Sequence, residues 1–196
     1  MTIKLILLRH GQSTWNDTNL FAGWKDVRNH LPDVSHTSLL RRAITAGNIG
    51  LDAADRHWIP NKKTWKVDER HYGVSQGLNK ENMADKCGDE QVKIWRRSQD
   101  VQPPLMSDEM YQKQHETRDR VEPYWKESII PDLKAGKTVF VEAHGNPLRA
   151  RVKIMDCVGD EEVVELNILT GVPIVYELND GDGLRLVVKG GNWLQE

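Results

Sequence analysis

Residues 3–8 read IKLILL and stop at Arg9-His10-Gly11, and residues 137–143 read KTVFVEA and stop at His144-Gly145-Asn146. Both runs are too continuously apolar for a half-exposed strand, and they fit parallel strands buried on both faces. Each ends abruptly in a His-Gly pair. A helix is expected after the first, over residues 14–19. The second leads into Pro147-Leu148-Arg149-Ala150-Arg151, where a proline in the first turn suits a helix start. In open α/β sheets, ligands bind beyond the carboxyl ends of strands. Two such ends, side by side in one sheet, would face His10 and His144 toward each other across a cleft.

Further along the chain, residues 37–52, 80–86 and 90–96 are expected to be helical. Residues 110–130 have the spacing of a long helix bent near Pro123. Residues 101–104 (VQPP) form a loop, residues 173–178 (PIVYEL) and 184–189 form strands, and the tail over residues 190–196 is expected to be mobile. No low-complexity tract or clear linker interrupts the chain, so a single domain over residues 1–196 is expected.

The composition is that of an ordinary globular chain, with 29% charged and 38% hydrophobic residues. A net charge of -2 and a pI near 6.4 argue against a general nucleic-acid binder, so any anion site is local. Cys87 and Cys157 lack metal-ligand spacing and are expected to be reduced thiols. The apolar run that ends at Arg9 is too short for a signal peptide, and no stretch has the length of a membrane span. The cytoplasm is the expected compartment.

A histidine at a strand end, between Arg9 and Gly11, suits attack on phosphorus. Neutral imidazole is nucleophilic near pH 7, a guanidinium forks onto phosphoryl oxygens, and glycine admits close backbone approach. An RHG triplet alone also fits a surface loop, and its position after a buried strand is what favours chemistry. Thr37-Ser38-Leu39-Leu40-Arg41-Arg42-Ala43 puts arginines at a helix start, where phosphate binds well, although alone it also reads as a solvated basic face. Asp68-Glu69-Arg70-His71-Tyr72-Gly73 holds a glutamate able to carry a substrate hydroxyl proton. Lys80, Arg96 and Arg97 add cations for a substrate with a carboxylate and phosphates. His144 supplies a donor for charge developing in transit.

Together these segments resemble the histidine phosphatase superfamily and, within it, the 2,3-bisphosphoglycerate-dependent phosphoglycerate mutases. LLRHGQSTWN (7–16), FAGWKDV (21–27), TSLLRRA (37–43), ERHYG (69–73), GLNK (77–80), QVKIWRRS (91–98), AHGNPLRA (143–150) and LNILTGVPIVYEL (166–178) match family segments in order. RHG marks only the superfamily, whereas ERHYG, GLNK and IWRRS are more specific to mutases. The resemblance implies an α/β fold, a mostly parallel central sheet flanked by helices on both faces. It implies His10 as the nucleophile that becomes phosphohistidine. Arg9, Arg42 and His144 would surround the phosphoryl group, with Asn16 and the amide of Gly145 nearby. Glu69 would carry the proton, and Tyr72, Lys80, Arg96 and Arg97 would hold the carboxylate and the second phosphate. Ser13, Ala22, Gly23 and Asn146 would complete the pocket. The implied cofactor is 2,3-bisphosphoglycerate as priming phosphoryl donor, with no metal, no nucleic acid and no membrane partner. The implied setting is glycolysis and gluconeogenesis, and the implied assembly a homodimer or tetramer.

The chain departs from the family pattern in several places. Residues 28–33 bridge a gap where the family has a helix, residues 105–116 replace a longer insertion, and the C-terminal tail is short. Ala22 stands where a hydroxyl residue is common, Pro147 replaces a serine and Gln99 a tyrosine. Glu142 falls on a strand expected to be buried, which is costly unless the carboxyl is paired. Two other readings use the same residues: a bisphosphoglycerate synthase or phosphatase, in which water or another acceptor takes the group, and a non-catalytic phosphometabolite binder. The binder has no need of a nucleophile and a proton carrier together.

Overall fold

The computed structural model of the chain describes residues 2–11, 31–98, 101, 103–104, 117–179 and 184–194. β1 (Thr2–Arg9) runs parallel to β4 (Val139–Ala143), with Arg9 opposite Ala143. The amide of His10 donates to the Ala143 carbonyl at 3.1 Å, so the ladder extends to the catalytic end of the strand. β4 pairs parallel with β2 (Val34–Thr37), and β2 with β3 (Asn61–Lys63). Beyond β1 the direction reverses. β5 (Pro173–Asn179) is antiparallel to β1 and carries β6 (Arg185–Leu186) and β7 (Asn192–Trp193). The sheet is therefore mixed, in the order β3-β2-β4-β1-β5-β6, with β7 also on β5.

Both faces of β1 are covered, which is why its sequence does not alternate. On one face Leu5, Leu7, Val139 and Val141 pack against Trp125, Ile129, Leu133 and Leu148. These come from a π-helical turn (Trp125–Ile129), α5 (Ile130–Lys134) and α6 (Gly145–Asp156), and α4 (Thr117–Tyr124) adds Tyr124 to the same cluster. On the other face Ile6, Leu8, Phe140 and Val175 meet Leu51 of α1 (Arg41–Ala53) and Ile59. α2 (Lys80–Cys87) packs on α3 (Asp89–Arg97), which in turn contacts α7 (Asp160–Glu165). Among the described residues, no helix is long and apolar enough to cross a membrane. Cys87 and Cys157 are exposed and unpaired.

Several sequence expectations need correction. Thr37 is a strand residue, because the β2 ladder to β4 runs through it, and the helix begins only at Arg41. The described part of the long helix, from Thr117, is not one regular helix. Pro123 has no N–H to donate, and the chain widens into a π turn two residues later. Only Arg185 and Leu186 of the expected strand over residues 184–189 enter the sheet. The tail is not loose as far as Trp193, for Asn192 and Trp193 pair with β5. Gly191 makes that path possible: its φ is +58°, and a Cβ there would lie 2.6 Å from Ile174 Cγ2. The expected helix over residues 14–19, residues 110–116 and the family gap over residues 28–30 lie outside the described residues.

Glu142 is wholly buried, on the face that meets α1. Gly47 makes room for it, since a Cβ at that position would stand 3.0 Å from the Glu142 carboxyl carbon. Ser35 Oγ donates toward the same carboxyl, at 3.0 and 3.2 Å from its two oxygens. Burial drives the Glu142 carboxyl well above its ordinary 4.5, only partly opposed by Ser35. The folded chain thus holds this proton more tightly than the unfolded chain, and stability declines as pH rises from 4.5 toward the raised value. Glu142→Gln is expected to raise the thermal midpoint at neutral pH, by a gain of about 1–3 kcal/mol. That gain should vanish as pH falls to the ordinary glutamate range. Calorimetry at the two ends of the window checks it, and an equal gain at both would show that Glu142 does not titrate there.

Candidate active site

The parallel pairing of β1 with β4 brings the two His-Gly ends together. The His10 and His144 ring centroids are 4.7 Å apart and meet edge-on. Arg42, on the first turn of α1, points between them, its Nε 3.2 Å from both His10 Nε2 and His144 Nδ1. That N–H is shared between two acceptors, so it marks where a phosphoryl oxygen finds a ready donor.

The hydrogen bonds assign the tautomers. His10 Nδ1 donates to the Gly11 carbonyl at 2.7 Å, which leaves the Nε2 lone pair facing the cleft. His144 Nδ1 accepts from Arg42, so its Nε2 donates to Ser38 Oγ at 2.8 Å. Ser38 Oγ donates in turn to Asp68 Oδ1 at 2.6 Å, and the same oxygen accepts the Leu39 amide. Burial first, and then His10, Arg42, Arg120 and Arg9, lower the His144 pKa to about 2, so the ring is neutral. Burial also pulls His10 below its ordinary 6.5, with Arg42 and Arg9 adding to the effect and the Gly11 carbonyl opposing it. A neutral, correctly tautomerised imidazole is the nucleophilic form. Phosphorylation of His10 is therefore expected to keep its rate as pH falls below 6.5 and to fail only at still lower pH. Rapid-quench kinetics across about pH 5 to 8 check this, and an acid limb centred above 6.5 would contradict it.

Glu69 sits at the rim of the same cleft, where its Oε1 accepts the amides of Arg70 at 2.9 Å and Asn146 at 3.3 Å. Two buried arginines brace its loop. Arg70 donates to the carbonyls of Trp95, Ser98 and Val101, and Arg120 to those of Trp65, Lys66 and Glu69. Asn146 Nδ2 donates to Tyr72 Oη at 2.9 Å, which leaves the phenol proton for another acceptor. Burial, then the charge of Glu69, pushes the Tyr72 phenol up to about 12, so it remains a donor.

Arg9 Nη1 donates to the Ile168 carbonyl at 2.7 Å, while its buried Nε has no partner among the described residues. An orphaned buried donor beside His10 is a place for an anion's oxygen. Gly145 opens α6 against this guanidinium, with Arg9 Cζ 3.6 Å from where a Cβ would be. Arg97 Nη1 is held by the Val164 carbonyl at 2.9 Å, and Arg96 acts on Arg9 and Tyr72 through its charge. Lys80 begins α2. Ser13, Asn16, Ala22 and Gly23 lie outside the described residues, as does Gln99.

Three contributors carried no signal of their own in the sequence. Ser38 and Asp68 read as ordinary turn residues until the fold joins them to His144. Arg149 read only as part of a helix start. It is buried, its Nη1 donating to Asn146 Oδ1 at 2.8 Å and its Nε to the Leu166 carbonyl at 3.0 Å. It thereby orients the amide that holds Tyr72. Arg9, Arg42, Arg96, Arg97 and Arg149 make the cleft strongly cationic in a chain of net charge -2. Among the described residues no His/Cys/Asp/Glu cluster could hold a metal ion.

Paired histidines at adjacent parallel strand ends, with an arginine between them, define a phosphohistidine-type site. The model of the histidine phosphatase superfamily (branch 1) matches residues 27–182, and the chain belongs to that superfamily. Its sequence relatives narrow the assignment. A 2,3-bisphosphoglycerate-dependent phosphoglycerate mutase of Cutibacterium acnes is 46% identical, over 99% of this chain and 93% of that protein. One of Nocardia farcinica is also 46% identical, over 92% and 88%. The chain is a member of the 2,3-bisphosphoglycerate-dependent phosphoglycerate mutase family. The first alignment spans 233 positions against 196 residues here, so the relative carries segments that this chain lacks. In structure, a mycobacterial glucosyl-3-phosphoglycerate phosphatase superposes with a TM-score of 0.67 at 18% identity, over 98% of this chain and all of that one. "Mycobacterial hydrolase 2" gives 0.70 at 17% identity, over 100% and 93%. These two likenesses show the fold.

Proposed function

We infer that this chain, acting as one domain, interconverts 3-phosphoglycerate and 2-phosphoglycerate through a phosphohistidine primed by 2,3-bisphosphoglycerate. The observation that carries the reading is the placement of Arg42 Nε between His10 Nε2 and His144 Nδ1, with Glu69 at the rim of the same cleft. His10 Nε2 forms the new bond to phosphorus as the bond from phosphorus to the substrate oxygen breaks. Glu69 gives that oxygen a proton and recovers one from the acceptor hydroxyl in the return step. Arg42 and the orphaned Arg9 Nε stabilise the equatorial oxygens in transit, and neutral His144, whose one N–H goes to Ser38, holds the Arg42 guanidinium beside His10 through Nδ1; positioning and electrostatics supply most of the acceleration. Tyr72, Arg96, Arg97 and Lys80 hold the carboxylate and the second phosphate. By the family resemblance, Ser13, Asn16, Ala22, Gly23 and the Gly145 amide are the further substrate-binding groups.

Exposed, unpaired cysteines suit the reducing cytoplasm, the expected compartment, and the expected assembly is a homodimer or tetramer. The test is an intact mass spectrum after brief exposure to 2,3-bisphosphoglycerate. One acid-labile phosphoryl group that 3-phosphoglycerate discharges supports the mutase. A group lost to water regardless of acceptor makes the chain a phosphatase, the outcome that its missing segments would favour. No phosphoenzyme at all would leave a binder.

A further inference from the structure

A cavity of about 510 Å³ opens on the α4–α6 side of the sheet, bounded by β1, β5 and β6. Leu5, its β1 contribution, precedes Arg9 by four residues, roughly 13 Å down the strand from the cleft. The volume falls in the range of small-molecule sites. Its walls are apolar, with Leu5, Leu133, Met155 and Leu178 among them. Four cations also line it, Lys134, Arg151, Arg185 and Lys189, and no carboxylate does. None of the four takes part in an ion pair among the described residues.

Arg151 and Trp125 pack together in the cavity wall. The Arg151 guanidinium lies 4.2 Å over the Trp125 ring, and its buried Nε has no hydrogen-bond partner among the described residues. Trp125 is 2% exposed, and its indole Nε1 likewise has none. Trp125 also begins the π turn, a distortion that recurs at functional positions. Glu122 acts on Arg151 only through space and already bonds Lys126 at 2.7 Å.

We propose that this cavity is a second ligand site, separate from the paired histidines, for a small amphiphilic anion: a medium-chain carboxylate whose chain lies on the Leu5, Leu133 and Leu178 wall and whose head group is held by the charge of Arg151 and its neighbouring cations. The apolar wall disfavours a bare phosphorylated three-carbon acid, and the one-signed charge disfavours a neutral lipid. Lys134, Arg185 and Lys189 add the attraction that draws the head group to that end.

The test is equilibrium dialysis of decanoate, kept below its micelle concentration, against the full chain, with decanol as the neutral counterpart. One saturable decanoate site is expected, with decanol roughly tenfold weaker. The double variant Arg185→Glu, Lys189→Glu is expected to weaken decanoate by about tenfold, with thermal midpoint and mutase turnover unchanged. Arg151→Met should abolish the preference for decanoate over decanol, and if that variant does not fold, the rim pair decides. Equal binding of acid and alcohol, wild-type binding by the rim variant, or displacement of decanoate by 2,3-bisphosphoglycerate would each overturn the proposal, the last by placing the anion in the catalytic cleft.

Discussion

Replacing His10 with alanine is expected to lower mutase turnover by about 10⁴-fold or more and to leave no acid-labile phosphoryl group on the protein. The expectation rests on where Nε2 lies. The Gly11 carbonyl takes the Nδ1 proton, which leaves Nε2 as the ring's free lone pair, facing Arg42. Of the two rings that Arg42 bridges, only His10 offers one. His144 spends its Nδ1 on Arg42 and its Nε2 on Ser38, and burial and neighbouring cations hold it neutral. His144 thus serves to orient Arg42, with the Asp68–Ser38 pair fixing its ring. The variant should keep its fold, because His10 is only half-buried and its backbone amide, which extends the sheet, is untouched. An unchanged thermal midpoint with no phosphoenzyme in the mass spectrum is the expected pair of readouts. A phosphoenzyme surviving in His10→Ala would move the nucleophile elsewhere.

The second large effect is expected at Glu69. Glu69→Gln keeps the size and the acceptor oxygen that holds the Arg70 and Asn146 amides, and removes only the ability to give and take a proton. Turnover should fall by about 10²- to 10⁴-fold, the usual scale for a positioned acid–base group, while KM changes little. Glu69→Asp should recover part of the loss, since it restores the proton at a shorter reach. If Glu69→Gln instead raises KM and leaves kcat intact, Glu69 serves binding and the proton passes through another group. Each measurement is a steady-state titration with 3-phosphoglycerate at saturating primer.

Much of the site was legible because its residues sit at chain positions that local physics marks. His10 and His144 each follow a run of buried strand residues, and Gly follows each histidine, so their placement at strand ends needed no partner to be read. Glu69 and Tyr72 stood out as a dense polar segment. Ser38, Asp68 and Arg149 did not, because a serine before a helix, an aspartate in a turn and an arginine in a first helical turn are ordinary residues in ordinary places. The mixed direction of the sheet was hidden for the same reason. PIVYEL says strand, but only the return of the chain to β1 makes it antiparallel. The tail read as mobile because a Gly-Gly pair and a short polar end carry no periodicity, yet β5 offers its edge and Asn192 and Trp193 take it.

By itself the sequence determined the alternation of buried strands with helices, the two histidines at strand ends and the inventory of cations and one proton carrier. These are properties of short segments, set by apolar runs and by what each side chain can donate. The tertiary structure alone decided that β1 and β4 are neighbours in register, and with that pairing the 4.7 Å approach of two imidazoles 134 positions apart. It also decided that Arg42 serves both rings, that Ser38 and Asp68 hold one of them, and that Glu142 is buried opposite a glycine. Contacts between residues distant in the chain depend on which strands pair and how the layers stack, and a segment read alone carries no record of either.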